Sequence, residues 1–210
     1  MQNTKAGKTA YYGIITALGL ILSYVETLIP LSFGVPGAKP GLANLVVLLC
    51  LRAPYDDFKK NLTGAFLAGV LRILLSGFLF GNMFAIAYSL AGFVTALTAE
   101  ALMEYANITR QRRYHARCVF EPSGAASFYS SQSTHASQST AAGEFSLTSI
   151  SAVGGVMHNM GQLLVAVVLC GTPVLVYLPW LILFGVIAGL ITGIPGALLI
   201  KRVRRFVNNS

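Results

Sequence analysis

Charge is scarce in this chain. Only 10% of its 210 residues are charged, and seven residues in all are Asp or Glu. A soluble domain carries roughly 25% charged residues. The shortage of carboxylates bears on chemistry as well. Magnesium-assisted phosphate chemistry needs clustered oxygen ligands, because hard cations prefer carboxylates and bridge the phosphates. Here the one adjacent acidic pair is Asp56-Asp57, followed by Phe58-Lys59-Lys60, and no second cluster opposes it. There is no Gly-rich phosphate loop ending in Lys-Ser or Lys-Thr, and no Ser/His/Asp set is legible. No catalytic residue, metal or cofactor is therefore expected. The three cysteines, Cys50, Cys118 and Cys170, are too few and too scattered for a disulfide framework. His115 and Cys118 have the spacing of half a zinc site, without a second pair.

What is abundant is apolar sequence: 55% of residues are hydrophobic, and mean hydropathy is +0.67. That places the chain among integral membrane proteins. Six segments are candidate spans: Ala10–Pro30, Gly41–Arg52, Leu62–Phe80, Met83–Tyr105, Ile150–Cys170 and Tyr177–Ile200. The second has about 12 apolar residues against the ~20 a span needs, so it is tilted, starts within the preceding loop, or is re-entrant. Lys5 and Lys8 precede the first run as in a signal peptide, but the run is long and no cleavage site closes it. With the N-terminus inside, thirteen of the fifteen basic residues fall on the cytoplasmic side; Lys39 lies outside and Arg72 within a span. The expectation is a multi-pass cell-membrane protein with both termini cytoplasmic. Its basic clusters would meet lipid head groups rather than nucleic acid. Residues 1–210 read as a single transmembrane domain. Ala116–Thr148, rich in Ser, Ala, Gln and Thr, reads as a disordered cytoplasmic loop between spans four and five.

Polar groups at membrane depth mark candidate sites, because they are costly in hydrocarbon. Gly154-Gly155-Val156-Met157-His158-Asn159-Met160-Gly161-Gln162 opens the fifth span. His158 and Gln162 share one helix face, with Asn159 beside them. They read as ligand contacts, or else as a hydrogen-bonded knot between helices. Arg72 sits mid-span and needs a carboxylate, carbonyls or an anionic substrate group. Glu26, near the outer end of span one, is a candidate ion-pair partner or gate. Val35–Asn44 is too rich in Pro and Gly for a regular helix, so Lys39 would lie in a shaped outer loop and Asn44 would enter the membrane layer. Glu100 and Glu104 are expected at the cytoplasmic interface, paired with Arg110 or Arg112. Asn107-Ile108-Thr109 matches a glycosylation sequon on the wrong side of the membrane. Small residues recur at four-residue steps, as Gly13/Ala17 and Gly185/Gly189/Gly193. They serve internal packing, or for Gly13/Ala17 docking on a partner membrane protein.

The strings Pro36–Asn44 and Gly154–Gln162 resemble the Gx transporter family, also labelled heptaprenyl diphosphate synthase component I. That family is similar to the substrate-binding S components of energy-coupling factor (ECF) vitamin transporters. The resemblance implies a six-helix transmembrane bundle that binds a small molecule near the outer surface and partners an ECF coupling protein and ATPases. It implies ligand roles for Asn44, Arg72, His158, Asn159 and Gln162, and docking through Gly13 and Ala17. The leading expectation is a membrane transport component that captures a small organic molecule in a cavity covered by the Lys39 loop. The alternative is a membrane accessory component of a heptaprenyl diphosphate synthase in isoprenoid or quinone biosynthesis.

Overall fold

The computed structural model describes residues 5–28, 41–53, 57–80, 83–120 and 145–208. Lys39 (with the rest of 29–40), Asp56, Gly81, Asn82 and the middle of the Ser-rich stretch (121–144) lie outside the described residues. The described chain is helical: α1 (Lys5–Leu28), α2 (Leu45–Leu51), α3 (Phe58–Phe80), α4 (Met83–Phe120), α5 (Leu147–Cys170) and α6 (Leu178–Asn208). A single 3₁₀ turn, Leu42–Asn44, leads into α2, and a longer one, Thr172–Tyr177, joins α5 to α6.

Five of the six helices are long and apolar enough to cross a membrane. The second is the exception. Its seven residues, Leu45–Leu51, span about 10 Å, a third of the ~30 Å hydrocarbon layer. All seven are buried. Apolar on every side, it is a rod sunk into the bundle, which is why the sequence there shows no polar face.

Cross-helix contacts fix the directions. Tyr12 meets Asn61 and Ser23 meets Arg72, so α1 and α3 run parallel. Gly69 packs on Phe93 and Gly77 on Ile86, so α4 runs back along α3. Thr95 Oγ1 donates to the Met157 carbonyl at 2.7 Å, and Ser151 bonds Thr192 at 2.9 Å, so α5 and α6 alternate in turn. The start of α1 and the close of α6 therefore share one end of the bundle. Between α1 and α3 the chain returns to that end through the buried α2 segment.

Small residues allow the tightest crossings. A Cβ on Gly185 would lie 2.7 Å from Cα of Val156, and one on Gly193 would lie 2.8 Å from Cβ of Ser151. The Gly185/Gly189/Gly193 stripe is thus spent on internal packing against α5. Gly13 is the opposite case: it and Ala17 are exposed, and nothing lies within 4 Å of a Cβ built on Gly13.

Polar residues seal the end that carries both termini. Asn61 donates to the carbonyls of Leu51 and Ala53 at 3.2 and 3.0 Å, closing the turn from α2 to α3. Arg52 bonds Glu104 at 2.8 Å. Asn107 clamps the backbone of Phe145 from both sides, donating to its carbonyl at 3.0 Å and accepting from its N–H at 2.9 Å. The Arg110 guanidinium lies 4.9 Å from the Phe145 ring centroid. The sequon asparagine is therefore a buried tie that fixes where the chain re-enters the bundle. Ser146 caps α5 by accepting from the Ser149 N–H at 3.1 Å. The helices on either side extend into the stretch read as a loop, to Phe120 and from Leu147.

Candidate functional site

A polar hollow lies between the helices, lined by Ser23 and Glu26 of α1, Gly41 and Asn44 of the entering turn, Arg72 and Ser76 of α3, Ser89 of α4 and His158 of α5. It is tight, with free space for about one water molecule. It lies toward the end of the bundle where α1 and α3 finish and α4 begins.

Arg72 is 6% exposed, and its Nη1 donates to Ser23 Oγ at 2.8 Å. Its Nε has no hydrogen-bond partner. Glu26, also buried, supplies the opposing charge that acts on the guanidinium. A cation held this way keeps donor capacity in reserve for an acceptor entering the hollow.

His158 is held by shape. Gly41 adopts φ +83°, a conformation other L-residues rarely take, and a Cβ there would sit 2.8 Å from His158 Cδ2. A Cβ on Gly92 would lie 2.8 Å from the ring on another side. Two absent side chains thus form a slot for one imidazole. Gln162 Nε2 lies 2.9 Å from His158 Nε2. With the amide donating, the ring proton sits on Nδ1, a buried atom without a hydrogen-bond partner.

Asn44 precedes α2 in the N-cap position, yet its side chain makes no capping bond. Instead it donates through Nδ2 to Oε1 of Glu100 on α4. Gly154 makes this possible, since any Cβ there would collide with that oxygen. Glu100 is fully buried, with 0% of its surface exposed, and its Oε2 has no partner. This corrects the expectation of an interfacial residue paired with Arg110 or Arg112. Glu104 alone follows the interfacial pattern, and its partner is Arg52.

Of the five residues expected to bind a ligand, Asn44, Arg72 and His158 meet at the hollow, and Glu26 joins them. Asn159 and Gln162 are not among the described lining residues. Asn159 Nδ2 donates to the Leu181 carbonyl at 2.7 Å and ties α5 to α6. Gln162 bonds His158 from behind and sets its ring. Ser23, Ser76 and Ser89 were not anticipated. Spacing offered a signal for two of them: Ser76 is four residues after Arg72, and Ser23 three before Glu26, so each shares a face with a charged residue. Among the described residues no three His, Cys, Asp or Glu side chains gather into a metal-binding group.

The two strings of the family resemblance therefore meet in space: Gly41 against His158, and Asn44, through Glu100, against Gly154. Comparison with curated proteins and with solved structures gave no match. A family model described as heptaprenyl diphosphate synthase component I matches residues 15–113 and 114–199, most of the chain. The chain belongs to that family, the one its two polar strings resemble.

Proposed function

We propose that this protein is a membrane transport component that captures a small organic molecule through an anionic group. The observation that carries the reading is the convergence of Arg72, His158 and Asn44 on one polar hollow inside an apolar bundle. Arg72 receives the anionic group; Ser23, Ser76, Asn44 and His158 supply the hydrogen bonds that select it. The hollow must widen to admit a guest, so α1 and the Gly41 turn part from α3 and α5 on binding. Lys39, in the loop between α1 and Gly41, would cover the guest from the outer side.

A cycle needs a partner, since the chain carries no ATP-binding loop. The Gly13/Ala17 face, flanked by Ile14 and Ile21 at 67% and 60% exposure, suits a second helix at close range. A coupling protein with ATPases, as in ECF transporters, fits that face. The cell membrane, with both termini cytoplasmic, is the proposed location, because basic residues gather at the end where the chain starts and finishes.

The family's description favours a second reading, an accessory membrane component of a heptaprenyl diphosphate synthase. Co-purification separates the two: ATPase subunits support the transport cycle, and a soluble prenyltransferase supports the accessory role. Capture itself is tested by identifying retained small molecules by mass spectrometry, and by thermal stabilisation against flavins, quinone precursors and prenyl phosphates. Arg72→Ala and His158→Ala should each lose retention while the fold survives. Retention unchanged in both variants would remove the site.

A further inference from the structure

Among the described residues, Glu100 is an acid with no cation in bonding contact. It stands midway along α4, fully buried, with one oxygen accepting from Asn44 and the other without a partner. The Leu42–Asn44 turn presents Asn44, and α5 presents Gly154. The one titratable side chain on α2 is Cys50, which is itself buried. One turn along α4, Glu104 is engaged with Arg52. Arg72, Glu26 and His158 surround the hollow on the far side of Asn44. An ionised carboxylate in that setting would be a buried charge with a single neutral donor, an arrangement proteins avoid by protonating the group.

We propose that Glu100 is a buried proton-binding site, coupled through Asn44 to an anion held by Arg72 in the hollow. The proton comes from bulk water and forms the O–H bond on Oε2, the oxygen Asn44 leaves free. The sign of the coupling follows from charge. With the hollow empty, the positive charge of Arg72, which lines it together with Asn44, favours an ionised Glu100. An anion in the hollow neutralises Arg72 and adds negative charge on the far side of Asn44, so Glu100 holds its proton more firmly. Linkage is reciprocal: a protonated Glu100 must favour anion binding to the same degree. Anion and proton therefore load together. The coupled half rests on the anion-capture reading above; the proton site does not.

The test uses the full chain in liposomes, infrared difference spectroscopy of the protonated-carboxyl band, and formate as the smallest carboxylate probe. At neutral pH the wild type should show a protonated-carboxyl band that is lost in Glu100→Gln, which keeps the oxygen that Asn44 bonds. If that variant does not fold, Glu100→Asp must shift the band instead. A neutral-pH spectrum in which neither variant alters a protonated-carboxyl band overturns the proton site. At the alkaline pH where that band is half lost, formate should increase it in wild type, and in neither Arg72→Gln nor Glu100→Gln. Formate that raises thermal stability through Arg72 while leaving the band unchanged overturns the coupling alone. No Arg72-dependent response to formate overturns anion capture and the coupling with it, and the neutral-pH band still decides the proton site.

Discussion

Asn44 reaches across 56 positions of sequence to donate its side-chain amide to Glu100, in place of capping the helix it precedes. An Asn before a helix ordinarily satisfies that helix's own free N–H groups. Here the exchange joins the entering turn to α4 and places a polar bridge between a buried acid and the hollow. The space for it comes from Gly154 on a third element.

Gly154→Ala should therefore cost stability although alanine is the better helix former. Its methyl would overlap Glu100 Oε1 and lie 2.9 Å from Asn44 Nδ2. Overpacking of this kind costs about 1–3 kcal/mol. Thermal unfolding in detergent measures it; a midpoint equal to wild type would show that the Asn44–Glu100 pair does not fill that space.

Arg72→Lys should fail almost as fully as Arg72→Ala in retaining ligand. Lysine offers a point charge, whereas the guanidinium holds Ser23 through Nη1 and has a further donor, Nε, without a partner. Ligand retention by mass spectrometry separates the cases. Full retention by the lysine variant would mean that charge alone matters.

Two glycines on comparable small-residue faces should respond in opposite ways. Gly189→Leu on α6 should destabilise the isolated protein, because a Cβ there already meets Ala152 Cα at 2.5 Å. Gly13→Leu on α1 should leave the thermal midpoint unchanged and reduce partner co-purification. Equal loss of stability in both would argue against a free α1 face.

Asn107→Ala should cost about 1–3 kcal/mol, since it removes two part-buried hydrogen bonds, to the Phe145 carbonyl and from its N–H, each worth about 0.5–1.5 kcal/mol. Hydrogen exchange at the Phe145 amide should accelerate. Unchanged exchange would show that the entry to α5 is held by the Ser146 cap and the Arg110 contact alone.

Much of the architecture was legible because lipid imposes simple rules on length and polarity. The long apolar runs became α1, α3, α4, α5 and α6, and the doubtful run at Gly41–Arg52 became the short, enclosed α2. Arg72 and His158 were legible as inward-facing for the same reason. The bonding pattern was not. Asn159 and Gln162 carry the same polar signal as His158, and only packing shows that one ties helices and the other sets the imidazole. Glu100 was misplaced because its distance from the end of an apolar run says little once α4 extends to Phe120.

The sequence by itself determined that this is a helical membrane bundle with its cations gathered toward the end that holds both termini, since hydrophobic length and charge are properties of single segments. Only the tertiary structure decided which polar groups share a hollow and which satisfy one another. Hydrogen-bond partners 38 to 62 residues apart, such as Phe145 with Asn107 and Met157 with Thr95, are set by how helices cross. In this bundle the crossings are set by the glycines that let the backbones touch.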